Sequence, residues 1–235
     1  ALRGPVKSCL GIFLREPRPG RAKTRLIPAL GADGAASLYR AFVEDTLNLA
    51  LAVRPRHCRL WTDGAPPDEH VSGALRPVLA EARADGRLDD APQPEGDLGV
   101  RLDAAVRAAD ADGTGPLLVI GTDSPDLPAR HLGSALAALD GGADVVLGAA
   151  ADGGVWCIGL ARPVDGFFDD LPWSTDSAGD ALRRRTDALG LRRAEAPAWY
   201  DCDTPEDLPR LVTRLRDTRD RAKMTWQWLE HHGLT

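Results

Sequence analysis

The composition of this 235-residue chain is typical of a globular protein, with 43% hydrophobic and 27% charged residues. A formal net charge of −6 argues against general nucleic-acid binding, which depends on a surplus of Lys and Arg that neutralises phosphates. No stretch reaches the roughly 18 uninterrupted apolar residues of a membrane helix, and the first residues lack a signal-peptide cleavage pattern. We therefore expect one domain spanning residues 1–235, located in the cytoplasm and acting on small molecules, with no nucleic-acid or membrane partner.

The first half of the chain alternates between strand and helix patterns. The apolar run at residues 6–14 predicts a buried strand. It is followed by a predicted helix at 31–53, a strand at 59–62 and a helix within 68–84. Residues 65–94 are rich in Pro, Asp and Gly, which favours irregular surface loop in that stretch.

The second half continues the alternation. The predicted elements are a turn and helix at 96–109, a strand at 116–120, a helix at 129–139, a strand at 144–147 and a strand ending near 158. Such an order predicts an α/β fold with a mainly parallel central sheet. In open sheets of this kind, ligands bind beyond the carboxyl ends of the strands.

A basic loop directly follows the first predicted strand. In REPRPGRAKTRL, five cations, Arg15, Arg18, Arg21, Lys23 and Arg25, surround Gly20. Arginine offers a planar fork to phosphate oxygens, lysine a compact charge, and glycine a close backbone approach. The loop lacks the pattern of a Walker loop. We predict phosphate binding here; a solvated basic turn is the alternative.

Two acidic turns follow predicted strands, GTDSPDLP at 121–128 and YDCDTPEDLP at 200–209. Carboxylate oxygens are the ligands that Mg²⁺ and Mn²⁺ prefer. Asp123 is the better candidate in the first turn, because Asp126 is placed to cap the next helix. In the second turn, alternate positions of an extended segment point to opposite sides, so that one of Asp201 and Asp203 is expected to reach the metal.

The last third of the chain carries a strong helix-start signal. Thr204 is predicted to cap a helix through its hydroxyl, with Pro205 in the first turn and acidic residues after it. Residues 218–235 form a predicted helical tail that contains Trp226 and Trp228. We expect this tail to dock on the domain or to form a homodimer contact.

Six segments, PRPGRAKTRL, GDLGVRL, GTDSPDLP, GAAADGGVWCIGL, PWST and YDCDTPEDL, together resemble the GT-A superfamily of nucleotidyltransferases and glycosyltransferases. Their order is similar to that of bacterial radical-SAM/selenodomain-associated transferases. The first segment also resembles the loop of phospholactate guanylyltransferases, and the last resembles the DTPEDL of CMP-sugar synthetases. The resemblance implies a three-layer GT-A fold, like that of nucleotide-diphospho-sugar transferases.

The same resemblance implies roles for particular residues. It assigns a Mg²⁺ or Mn²⁺ ion to Asp123 and Asp203, with Asp201 the weaker candidate. The nucleotide and its phosphates would contact Arg15, Gly20, Arg21, Lys23, Thr24, Arg25, Asp97 and Arg101, and the acceptor would contact Asp152, Gly153, Gly154, Trp173, Ser174 and Thr175. Val155 departs from the family pattern, which has an aromatic hydroxyl there. A tight turn alone would also account for the Asp-Gly-Gly sequence.

The expected reaction is nucleotidyl transfer from a nucleoside triphosphate to a small phosphorylated acceptor, with release of pyrophosphate. Asp123 with its metal, Arg21 and Lys23 would stabilise the reacting phosphates. Glycosyl transfer from a nucleotide-sugar is the alternative, and five clustered cations favour the triphosphate. A third hypothesis is a non-catalytic nucleotide-binding protein, since a fold alone does not establish function.

Overall fold

The computed structural model describes residues 7–235 and consists of a seven-stranded sheet between layers of helices. The strands are β1 (Cys9–Leu14), β2 (Cys58–Thr62), β3 (Leu88–Pro92), β4 (Leu117–Ile120), β5 (Val145–Ala150), β6 (Val155–Leu160) and β7 (Arg193–Trp199). The helices are α1 (Ile27–Val53), α2 (Leu75–Ala84), α3 (Leu98–Ala111), α4 (Ala129–Asp140), α5 (Ala178–Ala188), α6 (Asp207–Leu215) and α7 (Lys223–His231). Short 3₁₀ helices lie at Thr24–Leu26, Pro67–Glu69 and Arg219–Ala222.

The strand order is β3-β2-β1-β4-β6-β5-β7. All neighbouring pairs are parallel except the two that involve β6, which runs antiparallel to β4 and to β5. The prediction of a mainly parallel sheet in an α/β fold is therefore confirmed. The carboxyl ends of β1, β4 and β7 all lie at the same edge of the sheet, so the loops that follow them can form one site.

Apolar side chains fill both faces of the sheet. One face packs against α1, α2, α4, α6 and α7, with Phe42, Leu132 and Leu211 among its fully buried residues. The other face packs against α3 and α5 through residues that include Leu102 and Leu182. Burial on both faces explains why β1 and β4 are continuous apolar runs rather than alternating ones.

Strand β3 and helix α1 differ from the sequence predictions. Strand β3 lies within residues 65–94, which were predicted to contain irregular loop. Its sequence, LDDAP, places only Leu88 in the core, and such a polar pattern does not resemble a strand. The strand forms because it pairs with β2 at the edge of the sheet, where polar side chains and Pro92 are tolerated. Helix α1 begins at Ile27, four residues before its predicted start, and bends at Gly31 (φ 70°).

The predicted Thr204 helix cap is wrong. Helix α6 begins at Asp207, and the Thr204 hydroxyl donates a hydrogen bond to the Asp207 carboxylate instead (2.9 Å). That carboxylate also accepts the backbone N–H groups of Thr204 and Asp203 (2.8 and 3.0 Å). The acidic side chain, rather than the hydroxyl, therefore holds the segment that precedes the helix.

The C-terminal tail docks on the domain, which is one of the two alternatives expected from the sequence. Two backbone N–H groups at the start of α7, those of Met224 and Thr225, donate to the buried Asp45 carboxylate of α1 (3.0 and 2.8 Å). The Trp228 indole N–H donates to Ser37 Oγ (2.9 Å). A homodimer contact stays a prediction. Within residues 7–235, no helix combines the length and the apolar character that crossing a membrane requires.

Candidate active site

A cleft of about 670 Å³ opens at the carboxyl edge of the sheet. Its floor is formed by the ends of β1 and β4 and by the turns that follow β4 and β7. The basic loop that follows β1, the turn between β5 and β6, and the segment before α5 form its walls. The predicted phosphate loop and both predicted acidic turns therefore meet in one cavity.

Lys23 lies at the centre of the floor. Its ammonium is 2.5 Å from Asp123 Oδ1 and 2.6 Å from Asp203 Oδ1, and it also donates to the Cys202 carbonyl (2.8 Å). The backbone of Lys23 is left-handed (φ 48°), and its ammonium lies 5.3 Å from the centre of the Phe42 ring. Burial alone would lower the pKa of Lys23, but the charges of Asp123 and Asp203 outweigh it and raise that pKa. The lysine is therefore a buried cation shared by two carboxylates.

The two acidic turns are joined directly, although they follow strands that are not neighbours. The sheet places β6 and β5 between β4 and β7, and the chain after β7 returns across that edge. The Cys202 N–H donates to the Asp123 carbonyl (2.9 Å). Asp201 and Asp203 both line the cleft, but only Asp203 shares the ammonium. No strand includes residues 200–206, so the expected alternation of side chains does not apply there.

Asp201 lies in a strongly negative environment. Burial, together with the charges of Asp152, Asp203 and Asp123, raises its pKa to about 6. The floor therefore holds more carboxylate charge than the Lys23 ammonium offsets.

This donor set fits a divalent metal ion. Asp123 and Asp203 already converge on one cation, their oxygens are hard ligands, and the site retains excess negative charge. No group of three or more His, Cys, Asp or Glu side chains within the described residues forms a complete metal cage. Mg²⁺ does not need one, because it commonly binds through one or two carboxylates together with substrate phosphates.

The rest of the basic loop forms an exposed rim. Arg15, Arg21, Thr24 and Arg25 are exposed and line the cleft. Gly20 does not line it; its φ of 80° allows the turn that brings Arg21 over the cleft. The predicted phosphate loop thus divides into an exposed set of cations and the buried Lys23.

Two further contacts fix the loop from behind. Arg18 lies outside the cleft and forms an ion pair with the buried Glu16 (2.7 Å). The Arg15 N–H donates to the hydroxyl of the buried Tyr39 (3.0 Å), which lies 2.6 Å from Thr122 Oγ1 in the first acidic turn. Burial, together with the charge of Asp123, raises the pKa of Tyr39 to about 12, so it stays a neutral phenol that links loop and turn.

The predicted nucleoside side is only partly at the cleft. Asp97 does not line it and caps α3 by accepting the Val100 N–H (2.9 Å). Arg101 does line it, and its guanidinium donates to Gln93 Oε1 (2.9 Å). Gln93 in turn donates to the carbonyls at the end of β1 and near the end of β2. Gln93 escaped prediction because the polar strand β3 that delivers it was taken as loop.

The predicted acceptor residues lie together on the opposite wall. Asp152, Gly154, Trp173, Ser174 and Thr175 all line the cleft. Gly153 does not line the cleft. It has a φ of 89° in a tight turn, which is the alternative that the Asp-Gly-Gly sequence also allowed. Ser174 is a non-glycine residue with a positive φ (63°), a strained conformation that is common at functional sites.

Asp126 neither caps α4 nor faces the cleft. The residue is buried (1% exposed) and forms an ion pair with Arg214 of α6 (2.6 Å). Helix α4 has Pro128 at its N-cap, without a side-chain hydrogen bond. The sequence held no direct signal for this pair, since Arg214 is distant in the chain and lies beside the apolar face of α6.

Comparison with known proteins places this geometry in a class and in a family. The fold is that of nucleotide-diphospho-sugar transferases, which confirms the GT-A resemblance. Residues 58–175 match the family described as "Uncharacterized protein conserved in bacteria (DUF2064)", and the chain belongs to that family. The association with radical-SAM proteins stays a prediction.

Three relatives illustrate the range of similarity. A "Phosphoenolpyruvate guanylyltransferase" of Mycobacterium marinum is 29% identical over 203 residues, which cover 85% of this chain and 86% of the relative. A structure from Desulfovibrio desulfuricans G20, described as a "putative nucleotide-diphospho-sugar transferase", has a TM-score of 0.81 and 28% identity, covering 97% of this chain and 95% of that one. A cytidylyltransferase from Leptospira borgpetersenii shares the fold alone, with a TM-score of 0.54, 13% identity and coverage of 96% and 93%.

Proposed function

We propose that this chain is a metal-dependent nucleotidyltransferase that joins a nucleoside triphosphate to a small phosphorylated acceptor and releases pyrophosphate. One observation carries the proposal. Asp123 and Asp203, from two separate turns, approach a single ammonium at 2.5 and 2.6 Å beneath a rim that bears the exposed Arg21 and Arg25. A carboxylate floor for a metal and a basic rim for phosphates are what a triphosphate and its divalent ion require.

The residues have distinct tasks in this proposal. Arg21, Arg25 and Thr24 bind the β- and γ-phosphates at the rim, while Lys23 keeps Asp123 and Asp203 close together. An acceptor phosphate oxygen attacks the α-phosphorus, the bond from that phosphorus to the bridging oxygen breaks, and pyrophosphate leaves with the electron pair. Asp123 and Asp203 would hold a Mg²⁺ or Mn²⁺ ion, which would supply neutralisation of the α-phosphate charge. Catalysis then depends on positioning and electrostatics, without a protein nucleophile.

The relatives support an enzyme of this class. The mycobacterial relative, similar over 85% of this chain, bears the name of a guanylyltransferase that acts on phosphoenolpyruvate. GTP and small phosphorylated acids are therefore the first substrates to test. Glycosyl transfer from a nucleotide-sugar is the second candidate, because the structure with a TM-score of 0.81 is described as a nucleotide-diphospho-sugar transferase.

A thermal-shift screen in Mg²⁺ separates these functions. Each nucleoside triphosphate and common nucleotide-sugar is added to the wild-type chain and to Asp123→Ala, with Asp165→Asn, an exposed aspartate outside the cleft, as the control. We expect one triphosphate to raise the melting temperature of the wild type and the control but not of Asp123→Ala. Pyrophosphate release with phosphorylated acceptors then tests turnover.

Stabilisation by nucleotide-sugars alone would favour glycosyl transfer. Stabilisation by a triphosphate without pyrophosphate release from any phosphorylated acceptor would favour a non-catalytic binding protein.

A further inference from the structure

Asp126 is a buried carboxylate that the proposed reaction does not use. Its Oδ2 accepts the Arg214 Nε–H (2.6 Å), and its Oδ1 accepts the Arg214 Nη2–H (3.4 Å) and the Trp199 indole N–H (3.3 Å). These partners come from α6 and from the last residue of β7. A carboxylate with this degree of burial is stable as an anion only because it is paired and hydrogen-bonded.

Asp126 lies in a tight turn that directly follows Asp123. The Leu127 N–H closes that turn on the Ser124 carbonyl (3.1 Å), and Asp123 comes just before it. A displacement of Asp126 would therefore move the backbone that carries Asp123. The turn between β4 and α4 thus has one carboxylate facing the cleft and another anchored in the protein.

Helix α6 reaches both acidic turns. At its start, Asp207 accepts the backbone N–H of Asp203 (3.0 Å). Near its end, Arg214 holds Asp126. A helix is a rigid element, so its two ends fix where Asp203 lies relative to the turn of Asp123. The Trp199 contact adds the end of β7, from which the second acidic turn departs.

We propose that Asp126 is a positioning residue that, with Arg214, sets the distance between Asp123 and Asp203 and so tunes the affinity for the divalent ion. This inference rests on the proposed function, since it assigns the ion to that pair. Partners that orient metal ligands from behind commonly change metal affinity by about 10–100-fold when they are lost. A role in stability alone would leave the affinity of a folded variant unchanged.

Binding of Mn²⁺ alone tests the inference without turnover. It is measured as the loss of the electron paramagnetic resonance signal of the free ion. The variant is Asp126→Asn, which keeps the shape but removes the charge opposite Arg214. Asp45→Asn is the matched control, because Asp45 is similarly buried (3% exposed, against 1% for Asp126) and its contact with α7 lies outside the cleft. We expect the dissociation constant for Mn²⁺ to rise about tenfold in Asp126→Asn and to stay within twofold of wild type in the control.

A second pair of variants guards against a folding defect. Arg214→Gln and the double variant Asp126→Asn/Arg214→Gln complete a cycle, and the double variant should bind Mn²⁺ no more weakly than the weaker single variant if the pair acts as a unit. All variants are compared well below their melting temperatures. Wild-type Mn²⁺ affinity in folded Asp126→Asn, or an equal loss of affinity in Asp45→Asn, would overturn the positioning role of Asp126 and leave the proposed function untouched. Absence of Mn²⁺ binding by the wild type would overturn the metal site of the proposed function as well.

Discussion

The cleft floor and the junction of α1 with α7 both contain buried charge, but the two regions neutralise it differently. At the junction, Asp45 accepts two N–H groups from the start of α7, and no Lys, Arg or His within residues 7–235 forms an ion pair with it. On the floor, Lys23 pairs with two carboxylates whose side chains are 49% and 37% exposed towards the cleft. The Asp45 carboxylate is hydrogen-bonded within the protein, whereas the floor presents charge to a ligand.

This contrast separates a structural buried charge from a functional one. Polar burial at the junction stabilises the docking of one helix. On the floor, Lys23, Asp123 and Asp203 hold a geometry that an incoming cation and phosphate can use. Variants at the junction should therefore change stability alone, whereas variants on the floor should also change metal binding or turnover.

The largest expected effect is on turnover. Asp123→Ala removes one of the two carboxylates that converge on Lys23, so we expect pyrophosphate release to fall by about 10²–10³-fold or more, comparable to the loss of a positioned electrostatic group. The measurement is steady-state turnover with a saturating triphosphate and Mg²⁺. Asp165→Asn, far from the cleft, should retain wild-type turnover; an active Asp123→Ala enzyme would remove Asp123 from the mechanism.

Lys23→Met should mainly destabilise the floor. It leaves two carboxylates facing each other without their shared cation, and removing one partner of a buried pair costs about 3–5 kcal/mol. Because both carboxylates are partly exposed to solvent, we expect a smaller loss of about 2 kcal/mol. Urea unfolding measures it.

Added Mn²⁺ should restore more of the stability of Lys23→Met than it adds to the wild type, since the ion can replace the ammonium. Equal stabilisation of both proteins by Mn²⁺ would show that the ion does not take the place of the ammonium.

The sequence predicted the convergence of the site better than its internal contacts. Asp123 and Asp203 could be placed together because parallel strands end at one edge and their turns match a family pattern. The inward direction of Lys23 could not be predicted, since it depends on a left-handed backbone at one residue. The cluster of cations therefore predicted one phosphate-binding loop, whereas the structure gives Arg18 and Lys23 different contacts.

Elements whose burial depends on distant partners were also beyond prediction. Strand β3 is polar by composition and exists because it pairs with β2. Asp126 lies in a turn where a capping role is chemically reasonable, and only the packing of α6 supplies Arg214. In both cases the local pattern was ambiguous and the tertiary contact decided the outcome.

Asp45→Asn should change how stability depends on pH. Burial, opposed by the hydrogen bonds from Thr225 and Met224, raises the pKa of Asp45 from 3.8 to about 6. The folded protein then binds this proton more tightly than the unfolded chain, so the contribution of Asp45 is full below pH 4 and is lost as the pH rises through 6. We expect the stability of the wild type relative to Asp45→Asn to fall by about 1–2 kcal/mol between pH 4 and 7. Parallel unfolding curves at all pH values would contradict this.

The smallest expected effect is at the rim, and it separates two cations of one loop. Arg21 is exposed over the cleft, whereas Arg18 lies outside it and pairs with Glu16. Arg21→Ala should raise the KM for the triphosphate about tenfold, because a charge-assisted hydrogen bond contributes about 1.5 kcal/mol, and high salt should reduce the difference. Arg18→Ala is the matched control and should leave KM nearly unchanged. If both variants raise KM equally, the loop binds phosphate as a diffuse positive surface, and the division between exposed rim and buried Lys23 would lose its functional meaning.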